Sequence, residues 1–225
     1  MKQSFRTRLG LISAQLLVLA AFTTLSASSA SALTIGFSCI TGNAAGNCNS
    51  GESQLSVELI DLGGSQVLFE VTNAGPDSSS VTDVYFDDGT LLGIAGLIDM
   101  DDDYLGSFGD AGVDFTQGGA PPELPGGAGI GFVTTVGFLA DSDPAAQLNG
   151  VNPTEMLGIV FDLQVPGTYA DIVAELTNGD LRIGLHVQGF GDGGSESFVN
   201  NPVPEPGVAL LLGLGLVALS SRRRD

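Results

Sequence analysis

The chain has 225 residues, 26 of them acidic and seven Lys or Arg, with a formal charge of −19, one histidine and no tryptophan. A surface this negative repels the phosphates of nucleic acid and of anionic lipid, which excludes both as standing partners. Six of the seven basic residues lie at the two ends, so between residues 33 and 203 Arg182 alone stands against 24 acidic residues, a formal −23.

Residues 1–32 read as an export signal. Lys2, Arg6 and Arg8 supply a positive start, Leu9 to Phe22 an apolar stretch, and Ala30-Ser31-Ala32 a small-residue cleavage site. Cleavage after Ala32 is expected, and setting aside residues 204–225 as well leaves 33–203 as one secreted domain. Its unpaired carboxylates need solvation, hydrogen bonds or divalent cations; the same charge also keeps an exported protein soluble. Cys39 and Cys48 sit in a Gly-, Asn- and Ser-rich stretch with no His or further Cys nearby, which reads as a disulfide closing a short loop in an oxidising compartment.

No regular structure is evident over 33–53. From Gln54 period-two alternation begins. Leu55, Val57 and Leu59, then Val67, Phe69 and Val71 beyond "DLGGS", predict a β-hairpin. Further strands are expected at Val81–Phe86, Thr90–Ile98, Gly112–Thr116, Ile130–Leu139, Leu157–Val165, Leu181–Val187 and Ser197–Asn200, with Asp87-Asp88-Gly89 as a hairpin turn. "ADIVAEL" ahead of Thr177-Asn178-Gly179 suggests a short helix with a glycine end. Many short strands between Gly- and Pro-rich turns predict an all-β fold, an antiparallel β-sandwich of Greek-key or jelly-roll type, each sheet with one wet face.

Two constellations in the middle invite a chemical reading. Asp99, Asp101, Asp103 and Asp110 fall at positions 1, 3, 5 and 12 of a calcium loop, but position 6 is Tyr104 in place of Gly and position 12 is Asp in place of Glu, so calcium competes with a plain solvated turn. His186 sits on the strand face opposite Leu185 and Val187, with no G-x-S-x-G nucleophile motif to serve, and reads as an ordinary strand residue. Carboxylate abundance by itself is no evidence for a glycosidase. No catalytic set emerges, and the expected role is not that of an enzyme.

The C-terminus is more specific. Pro204, Glu205 and Pro206 precede an apolar run, Val208–Leu219, and then Arg222, Arg223 and Arg224. As a helix that run would be about 18 Å long, short of the roughly 30 Å of a hydrocarbon core, so it suits a transient anchor with the arginines held in the cytoplasm. The prolines keep the preceding stretch extended and readable by a protease. Together these residues resemble the PEP-CTERM sorting signal of Gram-negative, exopolysaccharide-producing bacteria, whose processing enzyme is a membrane-embedded exosortase. The resemblance implies Pro204, Glu205 and Pro206 as the recognition motif, a transiently anchored tail, and delivery to the cell surface or extracellular matrix. The segments "SSVTDVYFDDGTLLGIAG" and "LRIGLHVQGFGDGGSESFVNNP" also look like a group of such proteins, and add no chemistry. The expected function is a structural or adhesive component of a biofilm or exopolysaccharide setting. A calcium- or polysaccharide-binding module is the alternative, and a carboxylate-dependent hydrolase comes after it.

Overall fold

A computed structural model describes residues 33–87, 92–98, 112–135, 138–163 and 167–202. Among them are ten strands: β1 (Leu33–Cys39), β2 (Leu55–Gly63), β3 (Gln66–Asn73), β4 (Ser80–Asp87), β5 (Leu92–Ile98), β6 (Phe115–Gln117), β7 (Leu139–Ser142), β8 (Glu155–Leu163), β9 (Arg182–Gln188) and β10 (Glu196–Asn200). Three helices join them: α1 (Ala45–Gln54), α2 (Ala146–Asn149) and α3 (Tyr169–Asn178). The strand order is β5-β8-β3-β2-β1-β10-β9-β4-β7-β6, antiparallel throughout. The fold is all-β.

β1 makes the sheet curl. Leu33–Gly36 pair with β2, whereas Phe37–Cys39 pair with β10, so one strand serves two halves that then face each other. Side chains at alternating positions of both halves fill the space between, including Val57, Leu59, Phe69 and Val71 from one and Val84, Phe86, Ile183, Leu185 and Phe198 from the other. Phe69, Phe86 and Phe161 meet edge to face across the gap, with centroids 4.8–5.6 Å apart.

The hairpin expected around "DLGGS" is β2–β3, and the helix expected at "ADIVAEL" is α3. Four expectations need correction. Residues 33–53 are not irregular, since they hold β1 and α1. Ile130–Leu139 is not one continuous strand: a 3₁₀ turn spans Gly127–Ile130, residues 131–135 are not strand, residues 136–137 lie outside the described residues, and β7 starts at Leu139. Asp88 and Gly89 of the expected turn lie outside the described residues, but β4 and β5 do not pair with each other as a hairpin: β4 pairs with β9 and β7 while β5 pairs with β8. Turn chemistry says nothing about which sheet the chain enters next.

The fourth correction concerns the wet face. Ser80–Phe86 of β4 are buried on both sides. Residues 118–135 lie over the outer face and seat Leu124 and Phe132 on Tyr85, Leu139 and Val199. Gly184 makes room for them; a Cβ there would lie 2.6 Å from Leu124 Cδ2 and 3.1 Å from Phe132 Cζ. A side chain at 184 would lift the covering loop.

Candidate functional site

Beneath that loop the register lines up a polar row. Ser197 of β10 faces His186 of β9, His186 faces Asp83 of β4, Asp83 faces Asp141 of β7, and Asp141 faces Thr116 of β6. The register shift between Val81 and Asp83 brings Asp83 opposite His186. His186 Nδ1 lies 3.0 Å from Asp83 Oδ2, with the two side chains 14% and 3% exposed. His186 is therefore a largely buried strand residue whose ring is partnered by Asp83.

Thr82 Oγ1 donates to the same carboxylate oxygen at 2.8 Å, and Gln188 Nε2 donates to Thr82 Oγ1 at 3.1 Å. Asp83 Oδ1 is buried without a hydrogen-bond partner among the described residues. Asp141 is the cross-strand neighbour of Asp83 on β7. Burial, then the charge of Asp83, push its carboxyl above the usual range, while the Ala120 N–H donates to its Oδ2 at 3.3 Å and opposes the shift. Tyr85 donates its hydroxyl to Pro121 C=O at 3.2 Å, and burial followed by the charge of Asp83 raises its pKa far above the normal value. A Ser-His-Asp row thus exists in space. Ser197 is fully buried, however, and its Oγ has no hydrogen-bond partner among the described residues, so no proton path to His186 is formed.

Arg182 fastens one end of the covering loop. It pairs with Asp87, donates to the carbonyls of Ile130 (3.1 Å) and Gly131, and places its guanidinium carbon 5.2 Å from the Phe132 ring centroid. Asp87 also accepts the Val133 N–H at 3.1 Å.

A second polar centre closes one end of the sandwich. Cys39 and Cys48 are joined as a disulfide, with Cα atoms 5.3 Å apart. Glu196 sits against it, 1% exposed, and accepts from Thr41 Oγ1, from Asn43 N–H at 2.9 Å and from Ala44 N–H at 2.6 Å. Its Oε2 lies 3.7 Å from Cys39 Sγ, which is a contact only, since a disulfide sulfur has no proton to give. For the same reason this Cys-Cys-Glu group does not act as a metal cage. It is an anchor: a carboxylate from β10 satisfies amide donors just ahead of α1.

β10 leads out of the domain. Asn200 Oδ1 accepts the Ile183 N–H at 2.7 Å, Asn201 N–H donates to Gly36 C=O at 2.9 Å, and Ser38 Oγ donates to Asn201 Oδ1. Asn200 and Asn201 are thus clasped from both neighbouring strands. Directly beyond them, residues 202–224 match the family model of the PEP-CTERM protein-sorting motif.

The chain carries a PEP-CTERM sorting motif.

The PEP-CTERM motif implies an exported protein that is addressed to an exosortase and transiently anchored through its C-terminus. No curated protein and no solved structure matches the chain. Pro204, Glu205 and Pro206, the apolar run Val208–Leu219 and Arg222–Arg224 all lie outside the described residues, as do residues 1–32 and the calcium-loop residues Asp99, Asp101, Asp103 and Asp110. Among the described residues, no helix is long and apolar enough to cross a membrane. Sequence reasoning found the motif because its three parts are contiguous. It missed the row through Asp83 and the Glu196 anchor because each gathers residues far apart in the chain, with no spacing signal to mark them.

Proposed function

We propose that this chain is a surface or extracellular-matrix component of a Gram-negative, exopolysaccharide-producing cell, released from its membrane tail by an exosortase and acting as a structural or adhesive body in place of a catalyst. One observation carries the reading: the match of residues 202–224 to the sorting motif, which begins two residues after the last strand. The export signal read at residues 1–32 agrees with it, since β1 starts at Leu33, directly after the expected cleavage point. Against a Ser-His-Asp hydrolase stands the burial of Ser197, whose hydroxyl has no hydrogen-bond partner among the described residues.

Glu205→Ala, or deletion of Arg222–Arg224, leaves the body folded and stops processing. Immunoblots of cell fractions and the intact mass of the exported protein check this. Exported wild-type protein that still ends in Asp225 would defeat the reading.

A further inference from the structure

Both ends of the domain leave the sandwich at one pole. β1 and β10 are antiparallel with Phe37 opposite Asn200, and Asn201 hydrogen-bonds Gly36, so β10 runs toward the end of the sandwich at which β1 begins with Leu33. The register continues sideways. Val199 faces Gly184, which sets Asn201 level with Arg182 at the start of β9 and with Asp87 at the end of β4.

The stretch of covering loop tied down by Arg182 and Asp87 belongs to the same pole, and it presents apolar side chains to solvent. Ile130 is 45% exposed and Val133 64%. They are two of the three large hydrophobic residues exposed among the described residues; the third, Leu148, is on α2, which runs into Gly150 against Ser80 and Val81 at the far end of β4. The acidic body therefore places two of its exposed apolar side chains beside the exit of the sorting tail.

Spacing then decides what can reach this surface. Only Pro202 and Val203 separate the clasped Asn201 from Pro204, so the motif starts within roughly 11 Å of the folded edge even when the chain is fully extended. An enzyme that grips residues 204–206 necessarily meets the pole. Resting on the sorting reading above, we propose that the pole bearing Ile130, Val133 and Asn201 is a docking face for the membrane-embedded processing enzyme, which recognises the folded sandwich together with its tail. Two apolar side chains supply the contact, and Arg182, neutralised by Asp87, holds them in place without adding net charge. The short linker makes the contact intramolecular once the motif is bound, so even a small apolar patch tells in the rate.

The test uses the full-length chain in cells that hold the enzyme, following the ratio of unprocessed to processed protein with time. Ile130→Ser with Val133→Ser slows processing roughly tenfold, Leu148→Ser at the opposite end leaves it unchanged, and resistance to added protease shows that each body is folded. A long Gly-Ser insertion after Pro202 removes the difference between the Ser variant and its parent, because the tail then reaches the enzyme with the body at a distance. Equal processing of parent and Ser variant at native spacing overturns the proposal, as does a defect that survives the insertion. Glu205→Ala separates the two levels: if it is processed like the parent, the sorting reading fails and the docking face with it. If it blocks processing while the Ser variant runs at the parental rate, only the docking face fails.

Discussion

The two ten-residue helices, α1 and α3, are held by opposite means. α3 is a local construction. Thr168 and Asp171 form a reciprocal capping box, Ile172 and Leu176 are buried on one face, and Gly179 closes the helix with φ of 80°. α1, with sequence AGNCNSGESQ, has no side-chain cap at Ala44 and buries only Asn47, Gly51 and Gln54. Its propensity is poor, with Gly, Asn and Ser inside it. What holds it comes from elsewhere in the chain: the disulfide from β1, the Glu196 carboxylate from β10, Asp192 accepting from Asn47 Nδ2 at 3.0 Å, and the Phe198 ring against which Gly51 lies. A helix can thus be specified almost wholly by its surroundings, and only one of the two kinds announces itself in sequence.

The comparison breaks most sharply at Glu196. Glu196→Ala removes one buried carboxylate and leaves the amides of Asn43 and Ala44 unsatisfied. It is expected to cost about 3 kcal/mol and to free the α1 amides for hydrogen exchange while α3 stays protected. Denaturant titration and residue-resolved exchange read both; uniform loss across the two helices would refute separate origins. Gly51→Ala comes next. On propensity alone it would stabilise α1 by about 1 kcal/mol, but its Cβ would lie 2.2 Å from Phe198 Cζ, so a net destabilisation of about 2 kcal/mol is expected. The sign of the change in denaturation midpoint decides which influence governs. Thr168→Ala removes the local cap of α3 and costs about 1 kcal/mol, with α1 untouched.

Proton linkage provides the finest test. Asp171 is held below the ordinary carboxylate range by hydrogen bonds from the Thr168 side chain and backbone, and Asp192 by the Gly194 N–H and then Asn47. Depressed values mean that both contributions are present above the unfolded pKa and are lost as pH falls through the folded one. Asp171→Asn and Asp192→Asn each flatten that acid-side loss, in α3 and α1 respectively. Asp141 has the opposite sign. With its pKa raised from 3.8, the fold favours its protonated form, a contribution present below 3.8 and lost as pH rises through the raised value. Asp141→Asn removes this dependence, and thermal melts across the acidic range distinguish the two slopes.

By itself the sequence determined whatever is contiguous. Period two gave the β2–β3 hairpin, "ADIVAEL" with its glycine end gave α3, and a triplet, an apolar run and three arginines gave the sorting motif, because each signal fits within one segment. Only the tertiary structure decided that β1 joins the two halves, that residues 118–135 cover the outer face, that Asp83 meets His186 and Asp141, and that α1 exists at all. Those features depend on non-local contacts, such as Glu196 reaching Ala44 across 152 positions. Hydrogen-bond satisfaction and close packing act on whatever lies within a few ångströms in space, and separation along the chain leaves no trace in local composition.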